Sequence, residues 1–405
     1  MNRSAVVISG MGVVSPHGDD LSQVFSALLN GESAVHEVFP ELARPAAAAT
    51  VAFDETRWFT KLQLAGVDRV SQLAVAAADL ALKDSGAAGA VQAQRIGVYV
   101  GCGMGGAAAL EADYTAGSHG GRVPPLTIPA FMPNAPAAHV AMRNGVQGPV
   151  LTYAVACASA AVAIGEAAKA VRSGEVDLAI AGGSEALIVP GVVAAWQAMQ
   201  TLASFAPGQA ASACRPFASD RNGFVLGEGA AFLVLERDSQ ARERGARRYA
   251  ELAGWGLSCD ATHLTKPDAP GQQSALRAAL DMADLRPVDV GYCNAHGTAT
   301  KVGDVVEATA LNEVWGRAID GLQVSSTKAL HGHLLGATGA LEAVITVLAL
   351  QRGELPPNAN CKSVDAQCRL NLVRSGNSPV SGLQAAISNS FAFGGTNSVL
   401  LFKRA

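Results

Sequence analysis

The chain has 405 residues, of which 49% are hydrophobic and 16% are charged, and its formal net charge is −4. This composition excludes intrinsic disorder, because disordered chains combine low hydrophobicity with high net charge. The balance of 30 basic against 34 acidic residues also argues against a protein that binds nucleic acid through a basic surface. The 43 glycines indicate many tight turns, as in an α/β protein.

Short apolar strands and alanine-rich helices alternate along the chain. After an opening strand within residues 1–10, strands are predicted at 95–100, 150–155, 177–181, 230–236, 249–255, 290–294, 322–326, 385–389 and 399–402. Helices are predicted at 70–84, 158–172, 273–284, 304–315 and 337–351, with a charged helix and turn within 237–248. The alternation predicts parallel sheets with helices on both faces. Its restart near residue 246 predicts two similar halves, 1–245 and 246–405.

Neither a membrane span nor a secretion signal is expected. The opening segment has an apolar run of only four residues, which is typical of a strand. Two stretches without charged residues, 144–165 and 186–214, are broken by Gly, Pro, Gln or Ser, which favours a buried helix or a subunit interface. The seven cysteines are scattered and form no Cys-x-x-Cys pair, so neither a disulfide framework nor a zinc site is predicted. We expect a cytoplasmic protein with free thiols.

One glycine-rich segment imitates a nucleotide-binding turn. Residues 101–106, GCGMGG, match G-x-G-x-x-G and follow a predicted strand. A dinucleotide site also needs an acidic residue at the end of the next strand, roughly 20 residues further on. That region, 117–124, is a turn-rich loop without an acidic residue. The segment is therefore interpreted as close packing of a glycine loop, and a nicotinamide oxidoreductase is disfavoured.

A cysteine lies where an apolar strand turns into a helix of small residues. Cys157 is the centre of the sequence AVACASAA. Unpaired N–H groups and the positive end of the helix dipole would stabilise a thiolate there. The same N–H groups could hold the oxyanion that forms when the thiolate attacks an acyl carbonyl. On its own, however, a cysteine flanked by alanines is more often an inert core residue.

Two later segments carry histidines just beyond predicted strands. The sequence NAHGTAT places His296 after one strand, and SSTKALHGH places Lys328 and His333 after the next. Because ligands gather at the carboxyl ends of strands in α/β sheets, we expect these three residues and Cys157 to share one pocket. Their common position favours a catalytic function.

These motifs together resemble an elongating β-ketoacyl-acyl-carrier-protein synthase. They are AVACASAA, then RPF and DRNGFVLGEGA within residues 215–230, NAHGTAT, STKALHGHLLGATG, and NSFAFGGTN at 389–397. The resemblance extends from GMGVVSP at residues 10–16 to the end of the chain. It implies the α/β thiolase fold, with two similar halves that each contain a five-stranded mixed sheet, stacked in five layers as α-β-α-β-α and usually dimeric.

The resemblance implies a decarboxylative Claisen condensation. Cys157 would take an acyl group from the phosphopantetheine arm of an acyl carrier protein, with an oxyanion hole formed by the backbone N–H groups of Cys157 and Phe393. His296 and His333 would stabilise the enolate formed when malonyl-carrier protein loses CO2. Lys328, paired with Glu342, would hold a positive charge close to the site and orient His333.

Further residues receive roles from the resemblance alone. Thr298 and Thr300 would bind the pantetheine arm, and the segment from Phe391 to Gly395, including Phe393 and Gly394, would form a mobile gate. No cofactor is required, although the match also implies a possible structural monovalent or divalent cation. Its ligands would be Asn294, Glu342, Ser388 and Asn389.

The resemblance leaves the pathway open. Two catalytic histidines favour a chain-elongating enzyme over initiating synthases, chalcone synthases and thiolases, and the presence of Cys157 disfavours a catalytically inactive chain-length factor. Type II fatty-acid synthesis is the main interpretation. The alternative is a specialised ketosynthase of polyene or polyketide assembly, as a homodimer or as the active subunit of a heterodimer with a chain-length factor.

Two departures from the family pattern bear on the substrate. Ala392 stands where elongating members usually have glycine, which predicts a stiffer gate. Segments that often carry cations for docking the acidic carrier protein, residues 107–109 and 192–211, have none. The basic residues left as docking candidates are Lys61, Arg69, Arg122, Arg143 and Arg215.

Overall fold

The computed structural model describes residues 4–42, 44–376 and 379–405. Its strands are β1 (Val6–Val14), β2 (His36–Val38), β3 (Ala46–Ala49), β4 (Ile96–Gly101), β5 (Val150–Tyr153), β6 (Leu178–Glu185), β7 (Leu226–Gly227), β8 (Gly229–Arg237), β9 (Ala250–Cys259), β10 (Tyr292–Asn294), β11 (Gln323–Ser325), β12 (Asn371–Leu372), β13 (Ala385–Phe391) and β14 (Thr396–Lys403). Its α-helices are α1 (Leu21–Leu29), α2 (Arg69–Ser85), α3 (Ala107–Ser118), α4 (Thr127–Phe131), α5 (Ala135–Asn144), α6 (Ser159–Ser173), α7 (Pro190–Ala198), α8 (Asp238–Glu243), α9 (Ala269–Ala283), α10 (Gly303–Trp315), α11 (Lys328–His331) and α12 (Thr338–Arg352).

The two halves of the chain build similar mixed sheets. The first has the strand order β1-β8-β6-β4-β5, and the second has the order β9-β14-β13-β10-β11 with the two-residue β12 added at its edge. In each half the pairings nearest the β1–β9 junction are antiparallel, and the pairings toward the free edge of the sheet are parallel. A short antiparallel pairing of β1 with β9 joins the two sheets, through Val7 with Glu251 and Ile8 with Ala250.

The mixed strand directions confirm the mixed sheets that the family resemblance implied and correct the parallel sheets that strand–helix alternation alone predicted. In the C-terminal half, β13 and β14 are joined by the four residues 392–395, and so short a connection can only link antiparallel neighbours. In the N-terminal half, β8 follows the long segment 186–228 instead of a single crossover helix, and it pairs antiparallel with both β6 and β1. Alternation along the sequence therefore predicted the strands of the two large sheets, apart from the two-residue β12, but not their directions.

Helices separate and cover the two sheets in five layers. Helices α6 and α12 contact each other between the sheets, with α6 against β4 and β6 and α12 against β10 and β13. Helix α2 covers the outer face of the first sheet, and α9 covers that of the second. Both middle helices are buried along most of their length, which explains why α12 is apolar on nearly all sides and why α6 is rich in alanine, with a narrow charged stripe at Glu166, Lys169 and Arg172. The predicted layered α/β architecture is confirmed.

Several elements near the site were absent from the sequence prediction. A second sheet of β2, β3 and β7 joins residues 36–49 to residues 226–227. Helices α3, α4, α5 and α7 lie in segments that were left unassigned. Helix α3 has one buried residue, Ala107, so no apolar stripe marks it as a helix in the sequence.

One segment is apolar enough to be compared with a membrane span. Leu335–Arg352 meets that test by length and composition, but 89% of it is buried inside the protein. It contains α12, so its apolar character is explained by its position in the middle layer.

Candidate active site

The predicted reactive side chains lie just beyond the carboxyl ends of strands. Cys157 follows β5, in a 3₁₀ turn over Ala156–Ala158 that leads into α6. His296 follows β10, and Lys328 and His333 follow β11. The two sheets thus present residues from both halves of the chain to one pocket of about 540 Å³, lined by Cys157, His296 and His333 among others.

Three of these side chains form a tight reactive cluster. Nε2 of His333 lies 3.0 Å from Sγ of Cys157. The rings of His296 and His333 are 5.6 Å apart between centroids and nearly perpendicular. One ligating atom from each of the three residues lies within 4.8 Å of the other two. A small acyl thioester at this point can contact the sulfur and both imidazoles at once.

The turn that carries Cys157 has an unusual backbone. Ala156 has a φ of +48°, in the left-handed region that alanine rarely adopts. The hydroxyl of Ser159 holds this conformation, because it donates to the Ala156 carbonyl at 2.7 Å and accepts from the Val155 N–H at 2.9 Å. The turn brings Cys157 to the start of α6 with its sulfur on the pocket.

Burial opposes ionisation of the Cys157 thiol. It raises the pKa of Cys157 to about 12, and the positive charge of Lys328 and hydrogen bonds from the backbone of Phe393 and of Cys157 itself act in the opposite direction. The sequence predicted a thiolate stabilised by the helix terminus, whereas the structure favours a neutral thiol at rest. The same two backbone groups are those that the resemblance implied for the oxyanion hole.

Both histidines are held neutral. Burial, the charge of Lys328 and the neighbouring imidazole lower the pKa of His296 well below its ordinary value. Burial, Lys328 and His331 do the same for His333. Nδ1 of His333 lies 2.8 Å from Oγ1 of Thr338. When the threonine hydroxyl donates to this nitrogen, the ring proton is left on Nε2, which faces Cys157.

Glu307 fixes the loop of His296 and had no role in the sequence prediction. Its carboxylate accepts the backbone N–H of His296 at 2.8 Å and of Gly297 at 2.7 Å. The side-chain amide of Asn389 donates to the same group at 3.0 Å. The signal for Glu307 was present in the sequence, as an acidic residue inside a helix that directly follows the NAHGTAT loop. Its target became clear only in three dimensions.

Lys328 and Glu342 form the predicted pair. Nζ of Lys328 lies 2.6 Å from Oε1 of Glu342, and both side chains are fully buried. Burial raises the pKa of Glu342 to about 7, and the Lys328 charge opposes that shift. The positive charge that lowers the pKa of both histidines is therefore anchored inside the protein.

Removing Lys328 alone is expected to destabilise the protein. Lys328→Met leaves the Glu342 carboxylate buried without its partner, which costs about 3–5 kcal/mol of unfolding free energy. The double variant Lys328→Met/Glu342→Gln is expected to recover part of this loss. Chemical denaturation measures both, with Lys169→Met at the exposed Lys169–Glu166 pair as the control. A loss for Lys328→Met no larger than that of the control would contradict the argument.

The structure divides the predicted cation ligands between two faces of the second sheet. Asn294 and Ser388 are register partners on β10 and β13, on the face covered by α12, which carries Glu342. The Asn389 side chain follows Ser388 and points to the opposite face, where it donates to Glu307 and to Cys293. In the part of the chain described, Oδ1 of Asn294, Oγ of Ser388 and Oε2 of Glu342 are buried without a hydrogen-bond partner.

The other predicted binding residues lie on the wall of the same pocket. Thr298 and Thr300 line it, with their hydroxyl oxygens 3.0 Å apart. Phe391 ends β13 with its ring 6.0 Å from that of His296, and Phe393 stacks at 6.3 Å from Trp196. Gly394 is exposed, with a φ of +86°.

The gate loop, residues 391–395, is bonded to a neighbouring segment. The Gly394 N–H donates to the Leu264 carbonyl at 2.7 Å, and the Asp260 N–H donates to the Gly395 carbonyl at 2.8 Å. Ala392 has an ordinary negative φ, since only Gly394 and Gly395 of this loop lie in the left-handed region. Its methyl group packs against the apolar cluster that contains Cys157.

Ala392→Gly is expected to broaden the range of accepted acyl chains. Glycine removes the methyl contact and gives the loop more backbone freedom, a change of about 0.5–1 kcal/mol that corresponds to severalfold rate changes for poor substrates. Competition among acyl-carrier proteins of different chain length measures the effect. Ala90→Gly, in an exposed turn away from the pocket, serves as the control. An unchanged chain-length profile would exclude this role for Ala392.

The glycine segment 101–106 packs as the structural interpretation predicts. A Cβ placed on Gly101 would lie 2.2 Å from the Ala160 nitrogen, and one on Gly105 would lie 2.2 Å from the Phe131 carbonyl oxygen. These contacts leave no room for a pyrophosphate in the segment. The glycines therefore serve close approach of other backbone segments.

Three of the predicted docking cations are engaged elsewhere. Arg69 forms a bidentate pair with Glu228, Arg143 pairs with Asp79, and Arg215 bonds to Asp220 and to backbone carbonyls. Lys61 and Arg122 are exposed. The loss of these arginines as free charges follows from contacts that are distant in the sequence.

Comparisons with known proteins agree with this geometry. The family models "Beta-ketoacyl synthase, N-terminal domain" and "Beta-ketoacyl synthase, C-terminal domain" match residues 3–241 and 249–362. The chain is 41% identical to nodulation protein E of Rhizobium meliloti, over 98% of this chain and 99% of that protein. It is 37% identical to 3-oxoacyl-[acyl-carrier-protein] synthase 2 of Staphylococcus aureus, over 98% of each. The ishigamide ketosynthase/chain length factor structure superposes with a TM-score of 0.93 at 30% identity, over the whole of both chains.

These matches cover nearly the entire chain and include the segments that carry Cys157, His296 and His333. They confirm the family that the sequence motifs indicated, and with it the predicted class of acyltransferase. The protein belongs to the β-ketoacyl synthase family.

Proposed function

We propose that the protein is a 3-oxoacyl-[acyl-carrier-protein] synthase that elongates acyl chains in type II fatty-acid synthesis. The observation that carries this proposal is the cluster of Cys157, His296 and His333 within 4.8 Å on one pocket. A nucleophile with two neutral imidazoles suits a reaction that first transfers an acyl group and then generates an enolate.

The first half-reaction acylates the sulfur. The Cys157 thiolate attacks the thioester carbonyl of the acyl-carrier protein, and the backbone N–H groups of Cys157 and Phe393 stabilise the oxyanion. The intermediate collapses with release of the pantetheine thiolate, which takes up the proton lost by Cys157. Because the resting thiol is neutral, this proton leaves only as the substrate arrives.

The second half-reaction forms the carbon–carbon bond. The malonyl group breaks its bond to the carboxylate, releases CO2 and leaves the electron pair on an enolate. N–H groups of the neutral His296 and His333 donate to the enolate oxygen. The enolate carbon attacks the acyl-Cys157 carbonyl, and expulsion of the sulfur releases a β-ketoacyl chain two carbons longer.

A specialised ketosynthase of polyene or polyketide assembly is the second candidate. Ala392 in place of the usual gate glycine favours it, and so does the resemblance to a structure described as a ketosynthase/chain length factor. The two candidates share all the chemistry above. They differ in the acyl group presented to Cys157 and in the partner subunit.

The proposed partners are an acyl carrier protein and a second chain. The pocket mouth carries exposed apolar side chains of Met199, Leu264 and Val302 beside the exposed Lys266 and Lys301, a combination suited to an acidic carrier protein with some apolar surface.

A separate apolar face around α3 and α4 suits the second chain. Its exposed members are Met104, Tyr114, Leu126, Ile128 and Met132. Light scattering of the protein alone and after co-expression with a chain-length factor distinguishes a homodimer from a heterodimer, and a monomer in both samples would reject the proposal.

A structural cation and a cytoplasmic location complete the proposal. The buried unpartnered oxygens of Asn294, Ser388 and Glu342 fit a hard cation, which prefers oxygen ligands. The cation would neutralise the free oxygen of Glu342 and stiffen the strand ends below the histidines. A midpoint of thermal unfolding that stays the same after exhaustive dialysis and after addition of Na⁺, K⁺ or Mg²⁺ would argue against a bound cation. Recovery of the protein in the membrane fraction of a cell lysate would argue against a cytoplasmic location.

Intact-protein mass spectrometry tests the main proposal. The protein is incubated with a panel of acyl-carrier proteins and then with malonyl-carrier protein. Acylation of one residue per chain, discharged as a β-ketoacyl product, is the expected result, and the preferred acyl group separates fatty-acid from polyene substrates. No acylation with or without a partner subunit would overturn the assignment.

A further inference from the structure

Glu185 is a fully buried carboxylate close to the reactive cluster with no part in the mechanism above. It ends β6, and none of its surface is exposed. Its Oε2 accepts the backbone N–H of Gly103 at 2.8 Å and of Gly336 at 3.0 Å. Its Oε1 accepts the N–H of Met104 at 3.3 Å. Gly103 belongs to the first half of the chain and Gly336 to the second, so a single oxygen bridges the two halves.

Both glycines are required for this approach. A Cβ on Gly103 would lie 2.6 Å from Oε2 of Glu185, and one on Gly336 would lie 2.5 Å from the same oxygen. Burial raises the pKa of Glu185 to about 7, and the three backbone N–H groups oppose that shift. The carboxylate oxygen that accepts from both Gly103 and Gly336 therefore holds the two backbone segments at a fixed separation.

The segment held by Glu185 leads directly to the catalytic histidine. Gly336 is the middle residue of the 3₁₀ turn Leu335–Ala337. Leu335 lines the pocket and has a φ of +46°, a conformation that this side chain adopts only when its surroundings enforce it. Thr338, the residue that follows this turn, has its Oγ1 2.8 Å from Nδ1 of His333. A displacement of this turn therefore changes the orientation of His333 and its contact with Cys157.

We propose that Glu185 is a positioning residue for the condensation, which sets the His333 imidazole by bridging the Gly103 and Gly336 N–H groups through one carboxylate oxygen. This inference rests on the proposed function only in its kinetic readout. It assigns a function to the glycine segment 101–106, because Gly103 of this segment supplies the contact from the N-terminal half of the chain.

Two substitutions separate the bridge from the charge. Glu185→Gln keeps an amide oxygen that can accept from both Gly103 and Gly336. It gives up only the two longer contacts of Oε1, from the Met104 N–H at 3.3 Å and from the Cys102 thiol at 3.8 Å. Glu185→Asp keeps the charge but shortens the side chain by about 1.5 Å, so one oxygen cannot reach both glycines. The bridge predicts that Gln preserves activity and Asp does not, whereas a role of the charge predicts the reverse.

The expected results are kinetic. Glu185→Asp lowers the kcat of condensation, normalised to the fraction of protein that can be acylated at Cys157, by about 10- to 100-fold. This is the effect expected when a catalytic group such as the His333 imidazole is displaced by about 1 Å. The KM for malonyl-carrier protein changes by less than about twofold. Glu185→Gln stays within about threefold of wild type. Glu236→Asp is the matched control, because Glu236 is another buried carboxylate and pairs with Arg244 away from the pocket.

Alkylation of Cys157 by iodoacetamide gives a second readout that needs no acyl substrate. Glu185→Asp is expected to react at least about threefold more slowly than wild type, because the sulfur loses its aligned imidazole, whereas Glu185→Gln reacts no more slowly. Normal condensation and alkylation in Glu185→Asp, or equal losses in Asp and Gln, would overturn the role of Glu185. A wild-type protein that does not condense, with the alkylation pattern preserved, would instead overturn the proposed function and leave the bridge supported.

Discussion

Cys157→Ala is expected to abolish acyl transfer and leave the fold intact. The sulfur is the nucleophile that carries the acyl intermediate in the proposed reaction, and removing a nucleophile from a covalent enzyme commonly costs about 10⁴-fold or more. The loss of one buried sulfur atom leaves a small void beside His333, so the free energy of unfolding changes little compared with activity. Mass spectrometry after incubation with an acyl-carrier protein measures the acylation directly.

Cys214→Ala is the matched control for this experiment. Cys214 is also buried, and burial raises its pKa to about 12 as it does for Cys157, but it does not line the pocket. The control variant is expected to keep full acylation. Near-normal condensation by Cys157→Ala would remove Cys157 from the mechanism.

His296→Ala and His333→Ala are expected to separate the two half-reactions. Each substitution removes an N–H donor to the enolate oxygen, which lowers the rate of malonyl decarboxylation by about 10²- to 10³-fold. Acylation of Cys157 should fall less, because its oxyanion is held by backbone N–H groups that remain in place. Release of CO2 and mass spectrometry of the acyl-enzyme follow the two steps separately.

A separate role of the two histidines in decarboxylation predicts unequal losses in the two half-reactions. Equal losses in acylation and decarboxylation would mean that the histidines serve one common step. His139→Ala, at a half-buried histidine that does not line the pocket, is expected to change neither half-reaction. His333→Ala is expected to affect acylation more than His296→Ala does, since only His333 has a described hydrogen bond to the sulfur, at 3.0 Å.

Local sequence patterns predicted most elements and the positions of the reactive residues. Helix α2 was expected at 70–84 and runs over Arg69–Ser85, and β8 was expected at 230–236 and runs over Gly229–Arg237. Such elements are determined by apolar periodicity and flanking turn residues. The placement of Cys157, His296 and His333 followed from one topological rule about strand ends, and their roles followed from the family resemblance.

The residues that support the site could not be predicted in the same way. Glu307, Thr338 and Glu185 act through hydrogen bonds to backbone or side-chain atoms whose positions depend on how the two halves pack. The mixed strand directions followed from the family resemblance and not from the local pattern, because the pattern shows where strands occur but not which neighbours they take. The separation of Asn389 from Asn294 and Ser388 required the register of β13.

The middle layer has a consequence for synthesis of the protein. Helix α6 belongs to the first half of the chain but is covered on one side by α12, which is made more than 160 residues later. During translation the N-terminal sheet therefore emerges from the ribosome with an apolar surface that nothing yet covers. Exposed surfaces of this kind lead to aggregation and attract chaperones. Cys157 is made in the first half of the chain, whereas both histidines lie in the last third. The nascent enzyme is therefore inactive until this last third has left the ribosome and folded against the first half.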